Sequence, residues 1–196
     1  MTQMFDNEIF YHYTDFQALD GILRRAQLRV NNVLNMNDAA EMRLFMSGLC
    51  QAVVKRLLAD GKKELAEKVR GLFEEELKKE FFYSAYAACF SKYRDDAAQW
   101  DRYGNSGQGV CIAFHEALIQ KMMGGVVSLQ EVFYQEDMHG HWLVGEFYKL
   151  IKQSKKISDI LPALQNLMND AWVQSAAFKH PSFASEREYR LVVSPF

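Results

Sequence analysis

The chain has 196 residues, with 23 Lys plus Arg against 25 Asp plus Glu, a formal net charge of −2, 49% hydrophobic residues and 13% aromatic residues. A chain of this length buries most of the surface its unfolded form exposes, and its composition excludes a disordered, linker-like or fibrous protein. Near-balanced charge argues against a globally basic nucleic-acid binder.

Ile9 to Thr14 is β-prone and reads as a short strand. Thr14 then opens a Thr-Asp-Phe-Gln capping box, which predicts a helix with its apolar face at Phe16, Leu19, Ile22, Leu23 and Ala26. Leu28 to Val30 looks like a short strand, followed by an Asn-rich loop from Asn31 to Asn37. Asp38-Ala39-Ala40-Glu41 repeats the capping-box pattern. After it Met42, Phe45, Met46, Leu49, Val53, Leu57 and Leu58 recur at helical spacing, with Gly61 as the expected stop. The next predicted helix turns Leu65, Val69, Leu72, Phe73 and Leu77 inward and places Glu74, Glu75, Glu76, Lys78 and Lys79 on a solvated face.

From Phe81 the texture changes. Phe81 to Ser91 reads as a buried strand, Asp95 to Tyr103 as a short helix ended by Gly104, and Gly109 to Phe114 as another strand. Val126 to Tyr134 is a further strand candidate. Helical patterns occupy His141 to Lys152 and Ile157 to Lys179, and Arg187 to Ser194 alternates as a terminal strand. Helices set between strands without strict βαβ alternation predict a single α+β domain over residues 1–196, with a helical insertion at about residues 38–80.

Cys50, Cys89 and Cys111 are odd in number and widely spaced, which fits reduced thiols in a cytoplasmic protein. Met1 to Glu8 lacks the basic and apolar regions of a signal peptide. The longest hydrophobic run, Ala85 to Phe90, is far short of the roughly 20 residues of a membrane span, so no membrane partner is expected. His139-Gly140-His141 has no third ligand near it, and no metal is expected.

Three segments could carry chemistry. In Tyr11-His12-Tyr13-Thr14, strand alternation sets His12 on the face opposite Tyr11 and Tyr13, as a core histidine or a ligand contact. In Trp100-Asp101-Arg102-Tyr103-Gly104, the two aromatics are three apart and form either a platform for a planar ring or ordinary core. In Glu186-Arg187-Glu188-Tyr189-Arg190, the residues Glu186, Glu188 and Arg190 share a strand face, as an exposed edge strand would also arrange them.

In this order the segments resemble the bacterial family DUF2971. Its recurring elements are matched here by Tyr11 to Thr14, Asn37-Asp38 with Glu41, Cys89-Phe90-Ser91, Trp100 to Gly104, Gly109 to Phe114, and Glu186 to Val192. That family in turn resembles the histidine-containing branch of the ADP-ribosyltransferase superfamily, so the resemblance implies split β-sheets clasping NAD. It implies His12 as a ribose-hydroxyl contact, Trp100 or Tyr103 as the nicotinamide stacker, Glu188 as the catalytic carboxylate and Ser91 as the pocket floor. Tyr13, Thr14, Glu186 and Arg190 would complete the NAD contacts. Arg190 or Arg102 would meet the pyrophosphate, the alternative for Arg190 being an ion pair with Glu186 or Glu188.

The implied activity is cleavage of the nicotinamide–ribose bond of NAD, which is the substrate. ADP-ribose would pass to an unknown protein or nucleic-acid acceptor, or to water, in a toxin or phage-defence effector. The alternatives are a non-catalytic nucleotide- or ligand-sensing module on the same fold, and an interaction domain using the Asp38 to Lys79 helix pair.

Overall fold

The computed structural model describes residues 8–36, 39–78, 85–122, 127–135, 137–154 and 156–193. Strand β1 (Ile9–Thr14) leads directly into α1 (Phe16–Arg25). The cap is one residue later than the sequence pattern predicts: the Asp15 carboxylate accepts from the Ala18 amide at 2.7 Å. The predicted apolar face of α1 is only partly covered: Leu19 and Ile22 are half-buried, whereas Phe16 and Leu23 are 63% and 72% exposed. Leu28 to Val30 is not a strand. The pairing falls one step later, at β2 (Asn31–Asn32), before a 3-10 turn at Val33–Asn35. Asn37 and Asp38 lie outside the described residues.

Helices α2 (Ala39–Ala59) and α3 (Lys63–Lys78) are joined at Gly61, with φ +73°. The Gly61 amide donates to the Leu58 carbonyl and the Lys62 amide to the Leu57 carbonyl, each at 2.9 Å. This pair of bonds closes the helix end and needs a left-handed residue between them. Met42, Phe45, Met46, Leu49, Val53 and Leu57 are buried as their spacing predicts, whereas Leu58 is exposed. Glu76 is a correction: it is buried, because with Val69 and Phe73 it completes an i, i+4, i+7 row on the inward face.

The second half contains β3 (Tyr86–Ser91), α4 (Ala97–Arg102), β4 (Val110–His115), α5 (Glu116–Met122), β5 (Val127–Glu131) and β6 (Phe133–Tyr134). Residues 81–84 of the predicted strand, Lys79 and Val126 fall outside the described residues. The single strand expected up to Tyr134 is two strands. The Val132 amide bonds to Glu188 O and the Phe133 amide to Ala177 O, so the chain changes partner there. Next come α6 (Trp142–Gln153), α7 (Leu161–Ser175), β7 (Phe178–Lys179) and β8 (Glu188–Val193). Helix α7 stops before the predicted Lys179, which is instead strand.

The main sheet has the order β4-β1-β3-β8-β5, with β2 also on β3, and every pairing in it is antiparallel. A short parallel pair joins β6 to β7. Thus the chain is a mixed α+β fold. Alternation along β3 and β8 gives the sheet two different faces. Ala87 and Val192 join the larger core, made with α2, α3, α6 and α7, in which Trp172, Phe45, Phe73 and Phe147 are buried. The opposite face forms a smaller core of Phe10, Ala88, Phe90, Phe114, Ile119 and Leu191. Among the described residues no helix is long and apolar enough to cross a membrane.

Candidate functional site

β1 and β4 pair over six residues, from Ile9↔His115 to Thr14↔Val110. β1 and β3, by contrast, meet in register at Tyr11↔Ser91, while the far end of β3 is taken by β2 through Asn31↔Ala87 and Asn32↔Tyr86. The two halves of the sheet therefore splay apart beyond Tyr11. The opening is a cleft of about 1090 Å³, lined by His12, Tyr13 and Thr14 of β1, by α1, by Ala87 to Cys89 of β3, and by Gln99, Arg102 and Tyr103. Helix α1 forms a wall of this cleft through Ala18, Gly21, Ile22 and Arg25. That position explains why it contributes no buried residue to either core. Gly109 keeps one end of the opening tight, since a Cβ there would strike the Thr14 carbonyl and lie 2.8 Å from Gly104 O.

His12 bridges the split with its side chain: its Nδ1 lies 2.8 Å from the Cys89 carbonyl. A carbonyl accepts and never donates, so Nδ1 carries the proton and the neutral ring keeps Nε2 as an acceptor. The ring packs on Phe90 (centroids 5.6 Å apart) and Phe114 (6.4 Å). Burial holds its pKa below the ordinary 6.5, against the opposing effect of the Cys89 hydrogen bond. His141, which caps α6, is shifted the same way by burial. In the folded chain both therefore take up protons less readily than in the unfolded chain. Folding stability is accordingly expected to be complete above pH 6.5 and to fall as the pH drops below it. Chemical denaturation from pH 8 to pH 5 checks this, and His12→Asn should flatten the acid slope; an unchanged slope would refute the assignment.

Tyr13 and Trp100 serve as a latch. The Tyr13 hydroxyl donates to Tyr93 O at 2.6 Å and accepts from the Asp96 amide at 3.1 Å, and burial pushes the phenol up to about 12. Trp100 packs edge-on against Tyr13 at 5.0 Å and donates its Nε1–H to Asp95 Oδ1 at 2.8 Å. Trp100 is absent from the cleft lining, whereas Tyr103 is part of it. Ser91 is fully buried, with its Oγ accepting from the Tyr93 amide at 3.1 Å, and does not line the cleft.

Behind Tyr103 lies a buried ion cluster. Glu188 and Arg190 are 0% exposed, Lys179 1% and Glu186 2%. Lys179 Nζ is 2.9 Å from Glu188 Oε2, 3.4 Å from Tyr103 Oη, and paired with Glu186. Arg190 donates from Nε and Nη2 to Glu188 at 3.3 Å and from Nη1 to Ala176 O at 2.7 Å. The Glu188 amide donates to Tyr134 Oη at 2.9 Å. Burial would push the Glu188 carboxyl up, but Arg190 and Lys179 outweigh it and hold the group below the usual carboxylate range. Burial and the Glu188 charge push the Tyr103 phenol well up, so it stays protonated while its oxygen accepts from Lys179.

Glu186 reaches this cluster from outside the strand. It ends a 3-10 turn (Pro181–Glu186), and Arg187 follows with φ 45°, a left-handed kink that lets Glu186 and Glu188 approach the same lysine. Arg187 is held in that conformation by Asp96 at 2.5 Å and by the Tyr93 ring 3.6 Å from its Cζ. Arg102, half-exposed at the cleft, pairs with Glu186, while the Glu186 carbonyl accepts from Gln99 at 2.7 Å. Sequence pattern alone does not mark Lys179 and Tyr134 of the cluster, nor Arg25, Arg29 and Gln99 of the cleft. Lys179 sat inside a predicted helix, and no local pattern marks a lysine that will be enclosed by distant carboxylates.

Thus His12, Tyr13, Thr14, Arg102 and Tyr103 come together on one cleft, and Glu186, Glu188 and Arg190 form a second group directly behind Tyr103. Trp100 and Ser91 join neither group. No curated protein and no solved structure matches the chain. The family described as "Protein of unknown function (DUF2971)" matches residues 99–191, just under half of the chain, from Gln99 of the cleft to Leu191 of β8. Over that stretch the chain is similar to this family.

Proposed function

We propose that the protein binds NAD in the split between β1 and β3 and cleaves the nicotinamide–ribose bond, as an ADP-ribosyltransferase-like enzyme. The observation that carries this reading is the splay of β1 from β3, with His12 and Tyr103 on the same cleft. A volume of about 1090 Å³ accommodates a dinucleotide, and ordinary ligand pockets run from about 300 to 1,000 Å³. His12 Nε2 is the acceptor for a ribose hydroxyl, and its ring is oriented by the Cys89 carbonyl. Tyr103 takes the stacking role against the cationic nicotinamide. Arg102, Arg25 and Arg29 line the cleft and suit the pyrophosphate, whereas fully buried Arg190 does not.

Cleavage of the bond passes through an oxocarbenium-like state, which a nearby carboxylate stabilises. That part falls to Glu188, one side chain behind the cleft wall. The acceptor is a protein side chain, a nucleic acid or water, and an effector role in toxicity or phage defence fits such chemistry. A second reading, a non-catalytic nucleotide sensor, is favoured by one observation: Glu188 is locked between Lys179 and Arg190 and does not itself line the cleft.

Nicotinamide release and NAD-induced thermal shift, measured on the same purified protein, separate the two readings. Release together with a raised Tm is the expected result. A raised Tm without release selects the sensor, and an NAD-insensitive Tm removes both.

A further inference from the structure

Five charged side chains alternate in sign from the cleft inward: Arg102, Glu186, Lys179, Glu188 and Arg190. Their side-chain exposure falls from 38% at Arg102 to 0% at Arg190. Lys179 is the middle member. Its ammonium touches both carboxylates and also the hydroxyl of Tyr103, which lines the cleft.

We propose that Lys179 is a positioning residue that keeps the buried Glu188 carboxylate ionised and fixes it behind Tyr103. The catalytic consequence rests on the ribosyl-transfer reading above; the charge-holding role does not.

An enclosed carboxylate loses its hydration, which favours the protonated form unless cations replace the lost water. The groups facing Glu188 come from every element around it: Arg190 on its own strand, Cys89 from β3, Lys179 from β7, Glu186 from the 3-10 turn, Tyr103 after α4 and Tyr134 from β6. Burial pushes the Cys89 thiol and both phenols upward, so these three stay neutral, and Glu186 adds like charge. The compensating cations in this set are therefore Lys179 and Arg190. Arg190 divides its guanidinium between Glu188 at 3.3 Å and the Ala176 carbonyl at 2.7 Å, whereas the Lys179 contact to Glu188 is shorter, at 2.9 Å. A protonated Glu188 could not stabilise an oxocarbenium centre, so Lys179 sets the acid limit of the reaction.

The test has two arms. In the first, nicotinamide release is followed against pH for the wild type, Lys179→Met and Lys179→Arg, with NAD-induced thermal shift as the control for binding. Lys179→Met should move the acid limb up by at least about one pH unit while NAD still shifts the Tm, and Lys179→Arg should restore the wild-type limb. A Lys179→Met limb superimposed on that of the wild type overturns the proposal. The second arm needs no turnover. Carboxyl NMR of isotope-labelled glutamate, with Glu188 identified by its loss in Glu188→Gln, should show the group ionised below the ordinary 4.5. Titration at or above that value overturns the proposal even if Lys179→Met fails to fold. A wild type that releases no nicotinamide refutes the ribosyl-transfer reading alone, and the same NMR titration of Lys179→Met, in which the Glu188 value should rise, then decides the role of Lys179.

Discussion

Glu188→Gln is expected to abolish nicotinamide release and also to lower the melting temperature by on the order of 10 °C. The activity loss follows from removing the carboxylate assigned to the oxocarbenium-like state. The stability loss follows from burial. Glu188 is 0% exposed, with Lys179 at 2.9 Å and Arg190 at 3.3 Å. Glutamine keeps the shape and removes the charge, which leaves Lys179 and Arg102 on Glu186 and takes from Arg190 the carboxylate charge it pairs with. Removing one partner of a buried ion pair costs about 3–5 kcal/mol, because the other charge stays desolvated. A domain of this size loses roughly 2–4 °C per kcal/mol. Since native domains hold about 5–15 kcal/mol, the variant should still fold at room temperature.

The depressed pKa of Glu188 adds a pH signature with a definite sign. Its contribution is present above the ordinary carboxylate value of 4.5 and is lost as the pH falls through the lower folded value. Glu188→Asp separates the two effects, because it keeps the charge and shortens the side chain by one methylene. It should retain most of the stability and lose most of the activity. Thermal melts and nicotinamide release on the two variants settle the matter, and a Glu188→Gln melt equal to wild type would show the cluster to be energetically neutral.

Phe90→Ala is expected to cost about 3–5 kcal/mol of folding stability. Phe90 is 1% exposed in the smaller core, with its ring centroid 5.7 Å from Phe114, 6.5 Å from Phe10 and 5.6 Å from His12. That core holds six buried residues, so the cavity has few neighbours able to collapse into it. The same ring packs against His12. Its loss should therefore weaken NAD binding by roughly tenfold as well, since the imidazole would no longer be held against the Cys89 carbonyl. Urea unfolding with and without NAD checks both halves. A destabilisation below about 1 kcal/mol would mean that the site repacks around the void.

Local pattern was enough to place most helices and strands. The 3–4 spacing of Met42, Phe45, Met46, Leu49 and Val53 can bury a face only as a helix, and all five are buried in α2. The alternation of Arg190, Leu191 and Val192 gives β8 its two faces, since successive strand residues point oppositely. The same alternation placed His12 against Phe90 and Phe114, opposite Tyr13. Where the structure departs from the pattern, a long-range partner is responsible. Phe178 and Lys179 leave the helical register because β6 offers them a strand to pair with. The apolar side of α1 is only half-covered because the helix walls a cleft instead of packing into a core.

The candidate site divides along the same line. Local pattern shows which residue types gather in the three segments, and the alternation and helix spacing within each. It could not separate Trp100 from Tyr103, because both occupy a helix face of the right spacing. Only the tertiary structure turned one toward Tyr13 and the other toward the cleft and Lys179. Nor could spacing show that Glu186, Glu188, Lys179, Arg102 and Arg190 would share one enclosure. Their charges look like an ordinary solvated surface until β8 is set inside the sheet between β3 and β5. Secondary structure is written in near neighbours a few residues apart. Desolvation and charge pairing depend on groups far apart in sequence, such as Arg102 and Glu186 at 84 residues, and only the folded sheet brings them together.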